Sequence, residues 1–238
     1  MEIVPWMMLS AAIRVLTVKG GLITLVAMHL SDLFLFIAFL LAARRMIEFT
    51  GGVTTLGYLS FRQQVAMGRT ILLRVVGVMI AGVAIMSALR LHSLGARMLL
   101  GFDGIAYDQQ TIDGFLWSAF LAALTLLLVL RFERAGDASL IAAFEELWTR
   151  AYYLVPAILL VALVDIGLSI LQGAARGVVH AFFISDLAPS LVRALAFYAF
   201  VFIFAAVRLW ITLAILVYSL RGSYRRNPAA PVSKTTPI

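Results

Sequence analysis

The chain has 238 residues, 63% apolar and 13% charged, with a mean hydropathy of +1.03. Soluble domains run nearer half apolar and a quarter charged, so this composition excludes an ordinary soluble globule, a disordered chain and a disulfide scaffold. It predicts an all-α integral membrane protein. The net charge of +7 reads first as an orientation signal, because Lys and Arg collect on the cytoplasmic side of a membrane. No basic stripe interleaved with aromatics accompanies it, so nucleic acid is not an expected partner.

Cysteine is absent, which removes disulfides, Cys-ligated zinc and iron–sulfur clusters. Lys19 and Lys234 are the only lysines among 19 basic residues. That dominance of Arg, with abundant Ala, suggests a GC-rich bacterial genome. The start at Met1-Glu2 has no basic n-region, which argues against a cleaved signal peptide. The expected location is a bacterial inner membrane.

In chain order, residues 3–18 are apolar except for Ser10, Arg14 and Thr17, spaced as one helical face. They predict a helix lying in the outer interface, with a sixth span as the alternative. Five spans follow, at 21–43, 71–91, 115–130, 153–171 and 194–220, each read against the ~20 residues needed to cross ~30 Å of hydrocarbon. The third is short, and Ile112 and Phe132 extend it. Before span four, residues 138–152 place Ile141, Phe144 and Trp148 on one face, with Glu145, Glu146 and Arg150 largely elsewhere. That pattern predicts an amphipathic helix on the cytoplasmic surface, followed by Pro156 in the first turn of the span, where proline is tolerated.

Arg44, Arg45, Arg62, Arg69, Arg131, Arg134, Arg150, Arg221, Arg225, Arg226 and Lys234 fall on one side of these spans. The positive-inside rule then places the N-terminus outside and the C-terminus in the cytoplasm. Residues 1–220 form a single membrane domain, and 221–238 a basic, Pro-containing tail. Tyr58, Phe61 and Val65 before span two repeat the spacing of Ile141, Phe144 and Trp148 before span four, and Leu130-Arg131 and Leu220-Arg221 end spans three and five. A parallel repeat of 57–131 on 140–221 would account for both.

Ionisable groups inside spans carry the most information. Asp32 lies twelve residues from Arg44 and Asp165 twelve from Tyr153, each about 18 Å deep at ~1.5 Å per residue. Arg208, thirteen residues from Arg221, is about 20 Å deep. His29 sits one turn from Asp32, and Ser118 of span three reaches a similar depth. A lone charge there costs at least ~2.5 kcal/mol, so these groups are expected to meet each other or a wet cavity. The simpler account is a structural lock in which Arg208 neutralises one Asp. The competing account is a proton or ion relay through Asp32 and His29, with Arg208 as countercharge.

His29, His92 and His180 show no ligation spacing, so haem or a pigment is disfavoured. Asp103, Asp108 and Asp113 lack the density of a calcium loop, and no metal site is expected. Phe197, Phe200 and Phe204 line one face of span five as bundle core or lipid contact. Gly77, Ala81, Ala84 and Ala88 form a small-residue face on span two that lets another helix approach closely. No G-x-S-x-G, H-E-x-x-H, Walker A or G-x-G-x-x-G occurs. The residues therefore predict a non-catalytic integral subunit or assembly factor of a larger inner-membrane complex. Its expected partners are other membrane subunits and anionic lipid, without a cofactor. A small transporter or proton-coupled channel is the alternative, and a membrane-embedded lipid-processing enzyme the third reading.

Overall fold

The structure is a computed structural model that describes residues 3–17, 22–49, 60–91, 112–184 and 190–226. Among them are seven α-helices and no strand: α1 (Val4–Thr17), α2 (Leu22–Phe49), α3 (Phe61–Ala88), α4 (Ile112–Ala135), α5 (Leu140–Thr149), α6 (Ala151–Ile184) and α7 (Ser190–Arg226). Four of them are long and apolar enough to cross a membrane, within Arg62–Ala88, Ile112–Ala135, Ala151–Val178 and Phe202–Arg226. This fits a multi-pass membrane protein. The first expected span, 21–43, falls on α2, where the side chains of His29 and Asp32 lie outside the described residues. So do the segment 92–111, the side chain of His180 and the tail from residue 227.

Local chemistry explains why the helices outrun the expected spans. α3 starts ten residues before span two because Ser60 and Gln63 form a reciprocal cap. The Gln63 N–H donates to Ser60 Oγ at 3.4 Å, and the Ser60 N–H donates to Gln63 Oε1 at 2.9 Å. Two orphan donors of the first turn are thereby satisfied. Phe61 and Val65 consequently belong to α3 itself, whereas Ile141, Phe144 and Trp148 sit on a separate helix, α5. α4 carries Asp113 in its first turn, where a carboxylate suits the helix dipole. It ends at Gly136, whose φ of +69° favours glycine and whose N–H donates to Phe132 O at 2.8 Å.

Pro156 lies inside α6, in its second turn and not the first as expected, because the helix already begins at Ala151. Its missing N–H removes the bond that would reach the carbonyl of Tyr152. α6 has 34 residues, about 51 Å of helix, and so exceeds a hydrocarbon core of ~30 Å.

α1 folds back on α2. Ser10 and Ser31, both buried, share a hydroxyl–hydroxyl bond of 2.8 Å, and the Trp6 and Phe34 rings lie 5.6 Å apart. The polar side of α1 at Ser10 thus faces α2, while Val4, Met8 and Leu9 are exposed. The Arg14 and Thr17 side chains lie outside the described residues.

α4 is the central helix. Of its spanning window 61% is buried, against 22% to 28% for the other three candidates. Leu124, Leu126, Leu127, Leu128 and Val129 are wholly buried among α3, α5, α6 and α7. α2 and α3 meet at Gly68, where an added Cβ would stand 3.1 Å from Phe36 Cδ1. The glycine is what lets that ring lie against the α3 backbone. Arg74 of α3 clasps the connection after α4: it donates to the carbonyl of Ala138 and pairs with Asp137 at 3.8 Å.

Candidate functional site

Two polar clusters interrupt this apolar bundle. The first joins α6 and α7, which run antiparallel. Ser219 Oγ donates to the carbonyl of Tyr153 at 2.7 Å, and Arg150 Nη1 donates to Ser223 Oγ at 2.8 Å. From that register Arg208, eleven residues before Ser219, lies level with Val164 and Asp165, eleven and twelve after Tyr153. Asp165 and Arg208 are both buried and within electrostatic reach of each other. The guanidinium extends further along α6, away from the Ser219 end, and Nη2 donates to Gln172 Oε1 at 3.0 Å. Gln172 sits seven residues beyond Asp165, on the same helical face. The seven residues separating Asp165 from Gln172 correspond to about 10 Å of rise, which the two long side chains bridge.

A buried guanidinium within electrostatic reach of a carboxylate, with an amide oxygen as its acceptor, is the arrangement that a structural lock between α6 and α7 would use. Ser118 is half-buried on α4, and His29 and Asp32 lie on α2 with side chains outside the described residues. Sequence reasoning missed Gln172. The available signal was its i, i+7 relation to Asp165 in an otherwise apolar stretch.

The second cluster lies where α4, α5, α6 and α7 meet at their Arg-rich ends. Glu146 accepts from Arg150 Nε at 3.3 Å, from Arg134 Nη1 at 3.4 Å and from the Tyr224 hydroxyl. Both guanidiniums also stack on the Tyr224 ring, Arg150 at 3.7 Å and Arg134 at 4.2 Å from its centroid. One carboxylate and one aromatic ring thus hold two cations, and Ser223 takes a further donor from Arg150. The i, i+4 pair Glu146–Arg150 was visible in the sequence. The partners on α7, more than seventy residues away, were not.

The small-residue face of α3 is turned outward. Gly77, Ala81, Ala84 and Ala88 are all exposed, and a Cβ on Gly77 would meet nothing within 4 Å. Among the described residues no three His, Cys, Asp or Glu side chains are arranged to hold a metal ion. No protein-family model, curated protein or solved structure matches this chain.

Proposed function

We propose that the protein is a non-catalytic integral subunit or assembly factor of a larger complex in a bacterial inner membrane. In this reading α2 supplies a fifth span, the N-terminus is outside and the C-terminus is cytoplasmic. The observation that carries it is the exposed ridge of Gly77, Ala81, Ala84 and Ala88 on α3. Small side chains let a second helix approach closely, and in lipid that close packing is a main source of helix association. The arginines at the ends of α4 and α7 support the orientation.

Crosslinking in native membrane tests the reading, and the absence of native cysteine makes it clean. Ala84→Cys carrying a short photoreactive maleimide should yield a discrete adduct heavier than the 26.0 kDa chain, identified by mass spectrometry as another membrane subunit. A label that reacts with lipid alone would overturn it.

A second reading, a small transporter or proton-coupled channel, is favoured by the burial of an acid and a base, Asp165 and Arg208, within apolar helices. It requires Asp32 to exchange protons. Asp32→Asn should then keep the fold while abolishing proton-driven uptake in vesicles; uptake unchanged by that substitution would exclude it.

A further inference from the structure

α5 is built inside out relative to a helix on a soluble surface. Of its two glutamates, Glu145 is exposed while Glu146 points inward; Glu146 and the C-cap residue Arg150 are 14% and 8% exposed and are held by Arg134, Ser223 and Tyr224. Its large apolar residues point outward, with Ile141 83% and Trp148 81% exposed. On the other side Ala143 is wholly buried and fixes the helix against the bundle. Phe144, partly turned in, meets Phe120 of α4 with ring centroids 6.3 Å apart. These contacts leave one roll angle available to α5, and it is the one that displays Ile141 and Trp148.

Two more exposed aromatics stand at this end of the bundle. Tyr152 at the start of α6 and Tyr218 near the end of α7 are 82% and 72% exposed. They share a level, because the adjacent residues Tyr153 and Ser219 are hydrogen-bonded to one another. Trp and Tyr with an apolar body and a polar edge concentrate where hydrocarbon meets headgroups. Arg134, Arg225 and Arg226 are exposed at the same end, and they outnumber the exposed acids there, Asp137 and Glu145. Leaving Ile141 and Trp148 in water would forfeit the hydrophobic stabilisation of two large side chains. An apolar phase bordered by negative charge suits this surface.

We propose that α5 is an interfacial helix whose partner is an anionic phospholipid leaflet. Ile141 and Trp148 enter the leaflet, and the latch of Glu146, Arg150, Ser223 and Tyr224 holds the roll that keeps them there. The proposal needs the chain to be embedded in a membrane and is independent of whether it serves as a subunit.

Nitroxide labels on Ile141→Cys and, separately, Trp148→Cys test it in the full chain, reconstituted in vesicles of three parts phosphatidylethanolamine to one part phosphatidylglycerol. Collision with oxygen should exceed collision with a water-soluble nickel chelate several-fold at both positions, and Arg226→Cys should show the reverse. Nickel dominating at Ile141 and Trp148 would overturn the lipid contact. So would labels shielded from both reagents or broadened by a second label, which would mean a second copy covers the face. In phosphatidylcholine vesicles the oxygen preference should fall, and an unchanged value would overturn the anionic preference. Tyr224→Leu in the Ile141→Cys background should drive the oxygen-to-nickel ratio toward one with helix content unchanged. Tyr224→Phe, which removes only the hydroxyl, should lower it partway. If neither variant shifts the ratio, the latch does not set the roll.

Discussion

At the scale of single residues, the proposed lock of Arg208 on Asp165, beside the hydrogen bond to Gln172, would make the helix interface sensitive to partial removal. Removing one partner of a buried ionic pair costs about 3–5 kcal/mol, because the survivor is left uncompensated. Arg208→Leu should therefore lower the yield of monodisperse protein in mild detergent several-fold, and Asp165→Leu added to it should recover part of the loss. Gln172→Leu should cost less, about 1–2 kcal/mol, since it removes one acceptor of a charged donor. Size-exclusion profiles of the three variants check both expectations, and a double variant worse than Arg208→Leu would contradict the pairing. Asp165 and Arg208 were legible in the sequence because a formal charge in an apolar run is conspicuous. Gln172 was not, because a neutral amide near a span end looks like ordinary boundary chemistry. Tyr224 was invisible for a different reason: its role depends on two arginines, Arg134 and Arg150, that only the tertiary fold brings to its ring.

At the scale of elements, α3 shows how the two sides of one helix answer different questions. Its inner side packs Met67, Ile71 and Val75 into the core and brings Gly68 against Phe36. Gly68→Leu should drive α2 and α3 apart and destabilise the fold by about 1–3 kcal/mol, the usual cost of overpacking. Its outer side carries Ala81, so Ala81→Leu should leave the isolated chain as stable as the wild type while weakening recovery of co-purifying subunits. Ala119 on α4 is 1% exposed, and Ala119→Leu should do the opposite, destabilising the chain itself. Thermal scanning of the purified variants beside pull-down from native membrane separates the two effects, and equal behaviour of both alanines would count against the outward ridge as a contact. Helix existence followed from apolar run length alone. Helix ends did not, because they are set by local devices such as the Ser60–Gln63 cap and Gly136, which no hydropathy window registers.

At the scale of the whole molecule, the proposed cytoplasmic C-terminus rests on the positive-inside rule. Thr236→Cys should be labelled by an impermeant maleimide only after the inner membrane is broken; labelling of intact spheroplasts would reverse the topology. The class of architecture was legible because a 63% apolar chain has few alternatives to a helical bundle in lipid. Which helix sits in the middle was not, since α3, α4, α6 and α7 are similarly apolar by sequence. Only packing distinguishes α4, and its central place bears on how the protein is made. Synthesis runs from the N-terminus, so α4 leaves the ribosome before α5, α6 and α7, the helices that enclose most of it. Until those arrive, its leucine-rich surface is solvated by acyl chains or by an insertion chaperone, and the native bundle cannot close. Nascent chains arrested after residue 149 should therefore remain sensitive to membrane quality-control proteases, and resistance should appear only once α7 has emerged.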